Sequence, residues 1–171
     1  MKKSDARRAR NTHANASEIR AVLKLLSATP KKIARIAQGF NEQQLNRRPD
    51  VDAWSAKEIV AHLRACAEVW GRSIDRMLTE DHPTIRYVSP RGWLKKTSYL
   101  QQNFRETLTR FSDQRGMLVA RLSKLTSGGW TRGATFTGTT LGRDGTVLSY
   151  ATRIADHEVR HLDQLRRTLT S

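Results

Sequence analysis

The chain has 171 residues, enough for one modest core, and 37% hydrophobic residues with only four prolines suits a helical protein. A single cysteine, Cys66, excludes an internal disulfide, and no apolar run approaches membrane-spanning length, so no membrane association is expected. Thirty-one basic against sixteen acidic residues give a net charge of +15, which keeps polyanion binding open without naming a partner.

Residues 1–16 read as a basic leader. Lys2, Lys3, Arg7, Arg8 and Arg10 have no apolar segment behind them, so secretion is not expected and the cytoplasm is the expected compartment. Residues 17–171 read as one domain. A short helix is predicted over residues 17–26, and a new start at Thr29-Pro30. There threonine would cap and proline would take the first helical position, with Ile33, Ile36, Ala37 and Phe40 along one side.

A stronger start is Trp54-Ser55-Ala56-Lys57-Glu58, where Ser55 can cap and Glu58, three residues on, can close the capping box. The helix it opens is predicted over residues 55–78 and ends before Asp81-His82-Pro83. A third helix is predicted over residues 97–125, with Leu100, Phe104, Phe111, Leu118, Leu122 and Leu125 on its apolar face. Gly116 weakens it slightly, and Ser127-Gly128-Gly129 would stop it. Residues 133–145, rich in threonine and glycine with an Asp144-Gly145 turn, read as a long connector with room for two short strands. The last helix should begin near Thr146 or Val147. No internal repeat is present.

The most informative run is Asp156-His157-Glu158-Val159-Arg160-His161. Four residues along a helix turn a side chain by about 40° and raise it by about 6 Å, so two imidazoles at this spacing can meet one metal ion. Tyr150, Ile154, His157, His161 and Leu165 follow the spacing of a buried stripe, beside a charged one made of Arg153, Asp156, Arg160, Asp163 and Arg167. The histidines should therefore face inward, and Asp156 and Asp163 should lie at the surface. The run also matches the H-E-x-x-H pattern of zinc peptidases, with Glu158 in the general-base position. Such peptidases take a third ligand downstream, and the ten residues after His161 contain no histidine or glutamate, so the peptidase reading is set aside.

The third ligand must come from upstream, and His62 is the candidate. Ile59, His62, Cys66, Val69, Trp70 and Ile74 form one stripe of the predicted second long helix, so His62 also faces inward. Cys66 lies one turn further on the same stripe. A fourth ligand or a nucleophile is conceivable there, but a small buried core residue is the simpler reading. His13 in the polar leader and His82 in a loop are expected in solvent.

Leu45-Asn46-Arg47-Arg48-Pro49, then Trp54 through Leu63, then His157 to His161 with Leu162 and Gln164, resemble the DinB/YfiT-like superfamily. The likeness runs from about Thr29 to Leu169, and Trp130 falls where an aromatic often precedes the last connector. The resemblance implies an all-α four-helix bundle with a three-histidine metal site, one ligand from the second long helix and two from the fourth. His62, His157 and His161 stand at those positions. Members with known activity are metal-dependent transferases, isomerases or related enzymes, several using a low-molecular-weight thiol as cosubstrate.

Three neutral imidazoles leave a divalent ion its charge and open positions for water or substrate, whereas a closed structural site would use four protein ligands. Such an ion can acidify a water or a thiol or polarise a carbonyl. Imidazole suits zinc, nickel and iron alike. Glu158 could act beside the ligands as a supporting or acid/base residue, or turn to the flank. The expected function is therefore a metal-dependent transferase or hydrolase acting on a small molecule. The alternative is a non-catalytic basic bundle that binds partners such as nucleic acid, though no groove-reading motif or aromatic-basic cluster accompanies the charge. Oligomeric state is left open, with a homodimer expected if an apolar stripe stays exposed.

Overall fold

A computed structural model describes residues 14–138 and 144–171. Most of the predicted leader lies outside the described residues. Four long helices form a bundle: α1 (Ala16–Ile36), α3 (Ala56–Thr79), α5 (Phe104–Leu122) and α7 (Val147–Thr170). Three short helices lie between them, namely α2 (Glu42–Asn46), α4 (Pro90–Leu94) and α6 (Ser127–Thr131). Helices α1 and α3 each pack against both α5 and α7, which places α5 and α7 at opposite corners. Among the described residues, no helix is long and apolar enough to cross a membrane.

The starts of the helices follow local chemistry. Ser55 accepts a hydrogen bond from the Glu58 backbone N–H while the Glu58 carboxylate accepts from the Ser55 N–H, so the predicted capping box closes. Glu58 also pairs with Arg48, which ties the preceding loop to the first turn of α3. Thr146 caps α7 through a reciprocal contact with Ser149.

Three expectations need correction. Residues 17–36 form one helix rather than two, with Pro30 inside it. An interior proline removes one backbone bond and costs about 3 kcal/mol in an isolated helix. Here Val22, Leu26, Thr29 and Ile33 are all buried along one stripe, and that burial outweighs the lost bond. Thr29 does not cap; its hydroxyl donates back to the Leu25 carbonyl at 3.0 Å.

The third long helix starts at Phe104, not near residue 97, because Asn103 caps it by accepting from the Glu106 N–H. Upstream, Trp93 and Tyr99 both donate to the Glu68 carboxylate on α3, and Leu100 packs against a small cluster of Ala61, Ala65 and Leu94. These contacts hold residues 93–100 across the bundle in a path that a continuous helix could not follow. Finally, Ser127-Gly128-Gly129 opens α6 instead of stopping a helix, and α6 delivers Trp130 into the core, where it is buried.

The connector does contain two strands. Strand β2 (Gly133–Thr137) pairs antiparallel with β3 (Asp144–Thr146), Gly133 opposite Thr146. It also pairs in parallel with β1 (Thr84–Arg86), Thr84 opposite Thr135. Strand β1 is too short for any periodicity to reveal.

The core divides along the bundle axis. One apolar cluster gathers Val22, Leu26, Ile74, Leu118, Leu122, Trp130 and Ile154. The other gathers Ile33, Leu45, Ile59, Phe104, Phe111 and Leu165. Between them every long helix places polar groups at one level: Thr29 on α1, His62 on α3, Arg115 on α5, and His157, Glu158 and His161 on α7.

Candidate metal centre

His62 lies two turns into α3, and His157 and His161 lie mid-helix on α7, a direct neighbour of α3. The structure brings the three rings together. The Nε2 atoms of His62 and His157 are 3.4 Å apart, and those of His157 and His161 are 3.1 Å apart. Ring centroids of His62 and His161 are separated by 5.0 Å. Two nitrogens bound about 2.1 Å from one ion at angles between octahedral and tetrahedral stand about 3.0 to 3.4 Å apart. The His62–His157 and His157–His161 nitrogen spacings match that requirement.

The tautomer of His161 also fits. His161 Nδ1 lies 2.7 Å from Gln164 Oε1, so the nitrogen is the donor and Nε2 keeps its lone pair toward the other rings. Mutual hydrogen bonds cannot satisfy this arrangement, because His157 Nε2 faces two partners and holds at most one proton. A cation shared by the Nε2 lone pairs resolves the conflict.

All three imidazoles are held neutral. Burial, with help from His161 and Arg91, brings the His62 pKa down to about 4. Burial and the neighbouring His161, His62, Arg160 and Arg153 bring that of His157 down to about 3. His161 is lowered chiefly by burial, against the opposing pull of Gln164. Neutral imidazole is the ligating form. The metal-free protein should consequently lose stability in acid. Below about pH 6.5 the unfolded chain takes up protons at these positions that the folded one refuses, so stability falls as pH drops from there toward 4 and 3. Allowing for screening, the loss should be on the order of 2 kcal/mol. Melting curves in chelator at pH 7.5 and 4.5 check this, and His157→Ala should narrow the difference; an unchanged difference would mean that other groups set it.

Aromatic rings surround the site. Trp54 stacks on His161 with planes 4° apart and meets His62 edge-on, while Trp70 meets His157 edge-on at 4.9 Å. The rings open on a cavity of about 280 Å³, whose wall includes His62, His157 and His161 together with Tyr87 and Ser89.

Cys66 gives a second way to draw a ligand set. Its Sγ lies 3.4 Å from His62 Nε2, and His62, Cys66 and His157 also form a group that could hold an ion. Burial and the Glu158 charge push the thiol pKa well above its ordinary value, and Cys66 does not line the cavity. His161 faces the cavity with its Nε2 lone pair directed toward the other rings, whereas Cys66 is buried outside the cavity lining.

Glu158 does not line that cavity. Its carboxylate pairs with Arg115 in the bundle interior, both residues 1% exposed. Burial raises its pKa, and the Arg115 guanidinium opposes that rise. Asp156 and Asp163 are at the surface. His82 is exposed, with φ of 41° and a contact to the Thr135 hydroxyl, away from the three histidines' cavity. His13 lies outside the described residues. Trp54 and Trp70 are neighbours of the rings that helix spacing alone does not mark, although Trp70 stands on the stripe that carries His62. Arg153, one turn before His157 on the expected charged stripe, lines the cavity instead.

A four-helix bundle with three convergent histidines between adjacent helices is thus the framework of this chain. It belongs to the DinB superfamily, whose model matches residues 25–165. It is similar in structure to YfiT from Bacillus subtilis, described as "a probable metal-dependent hydrolase with an unusual four-helix bundle topology". The TM-score is 0.80 at 18% sequence identity, covering 91% of this chain and 87% of that one. Comparison with curated proteins finds no match.

Proposed function

We propose that the protein is a metal-dependent enzyme in which His62, His157 and His161 hold one divalent ion, zinc, nickel or iron, beside a small-molecule site. The observation that carries this reading is the pair of Nε2 separations, 3.4 and 3.1 Å, among neutral imidazoles facing a cavity. A bound ion would supply Lewis acidity, polarising a substrate oxygen or acidifying a water or a cosubstrate thiol. Around it the chain's own residues have distinct tasks. Gln164 fixes the His161 tautomer, Trp54 and Trp70 wall off the rings, and Tyr87 and Ser89 offer hydroxyls to what enters. Hydrolysis is the reaction named for YfiT and comes first among those to test; transfer to a low-molecular-weight thiol comes second.

The test begins with metal content. Purified protein should take up one zinc or nickel ion per chain, and excess metal at about 100 times the dissociation constant should add about 2.7 kcal/mol, or roughly 5 to 10 °C of melting temperature. Ester and amide panels then follow with the loaded protein. A chain that takes up no ion and melts unchanged with any of the three metals sinks the proposal.

The rival reading, a basic module for nucleic acid, rests on the charge of +15. Duplex DNA should bind weakly, without sequence preference, and lose its affinity steeply between about 50 and 200 mM salt. Sub-micromolar binding at physiological salt would instead favour the rival.

A further inference from the structure

Arginine is treated in two ways in this protein. Arg48, Arg72, Arg76, Arg115, Arg121 and Arg166 each pair with a carboxylate. Arg91, Arg153 and Arg160 line the histidine cavity, and none of them is in an ion pair among the described residues. Two of them are held by aromatic faces instead. The Arg91 guanidinium carbon lies 5.1 Å from the Trp54 ring centre, and that of Arg153 lies 5.2 Å from the Trp70 ring centre. An aromatic face orients a guanidinium without neutralising it or consuming its N–H donors. The same two indoles pack on the histidine rings, so the arginines are placed relative to the candidate metal ligands.

No acidic residue lines this cavity. Glu18, Asp144 and Asp156 line an adjoining cavity of about 670 Å³ that shares Arg153 and Arg160 with the first. None of them lies within 4.0 Å of either guanidinium, the distance that defines an ion pair. Arg153 is half-buried while Arg91 and Arg160 are exposed, so water and salt screen part of the repulsion among three cations beside a divalent ion, and a bound anion would offset the rest.

We infer that the substrate is a small organic anion whose carboxylate or phosphate group is held by Arg91, Arg153 and Arg160 beside the three imidazoles. This rests on the metal-dependent reading above and names the substrate class for that site. With the anionic group seated on Arg153 and Arg160, it stands at the junction of the two cavities. The reactive end faces the histidines and the remainder extends toward Trp130, Thr131, Ser149 and Thr152. Guanidinium forks suit both oxyanions, so the arginines fix the charge of the ligand and leave its central atom to experiment.

Calorimetric titration of the full chain, zinc-loaded and metal-free, with succinate, methyl phosphate and uncharged succinamide tests this. At least one dianion should bind both forms with millimolar or better affinity, and succinamide about tenfold or more weakly. Which dianion binds separates carboxylate from phosphate recognition. Arg153→Gln and the exposed Arg160→Gln should each weaken the dianion about tenfold or more while zinc uptake stays at the wild-type level. Lys31→Gln, the same loss of charge on α1, should change nothing. No dianion binding, equal binding of succinamide, insensitivity to both arginine variants, or an equal effect of Lys31→Gln each overturns the inference. If the wild type takes up none of zinc, nickel or iron, the metal reading fails separately, and the metal-free titrations still decide for or against the arginines.

Discussion

Alanine at His157 should strip the protein of its metal and leave its fold standing. His157 is the hinge of the site, since its Nε2 stands within 3.4 Å of the other two. Without it, His62 and His161 are two ligands on separate helices with no nitrogen between them. Metal affinity should fall by about three orders of magnitude or more, read by competition with a chromophoric chelator. Alanine is a good helix former and the ring is only partly buried, so the structural cost should be about 1 to 2 kcal/mol. A variant that keeps wild-type affinity would show that Cys66, rather than His157, completes the set with its neighbours.

Alanine at Glu158, one residue along, should do the reverse. That substitution leaves the Arg115 guanidinium buried and without its carboxylate, and Nε and Nη1 of Arg115 already lack partners among the described residues. Breaking a buried pair from one side costs about 3 to 5 kcal/mol, so the melting temperature should fall by roughly 10 °C or more. The folded fraction should still bind one metal ion. The double change Arg115→Met with Glu158→Leu should recover most of the loss, because two apolar groups need no partners. A loss below about 1 kcal/mol for Glu158→Ala would mean that the pair contributes little to the native state.

How much of this could be read in advance depends on whether a signal is local. The His157 and His161 pair, the stripe that turns His62 inward, and the box at Ser55 involve residues within one or two helical turns, and the chain displays them directly. Pro30 misled because its cost is local while its compensation, burial against α5 and α7, is not. The segment from Thr97 to Leu100 misled for the same reason: Leu100 continues the apolar face of the next helix, yet Glu68 on another helix takes the Tyr99 phenol. The arginines were legible only as charge. Whether an arginine meets a carboxylate or an indole is decided across the bundle, so the sequence shows Arg48 and Arg153 as equivalent when the fold makes them opposites.

The layer of polar groups between the two apolar clusters acts as an alignment mark for the whole bundle. Leucine-rich helices can slide by one turn, about 5.4 Å, and still find apolar neighbours. Here such a slip on α7 would drive Glu158 into the company of Leu26 or Ile33 and leave Arg115 stranded, while separating His157 and His161 from His62. Every shifted packing thus carries an unmatched charge, and a single register remains. The residues that would hold a metal and the pair that locks the helices share that level, so the accuracy of the site is set by the same contacts that choose the fold.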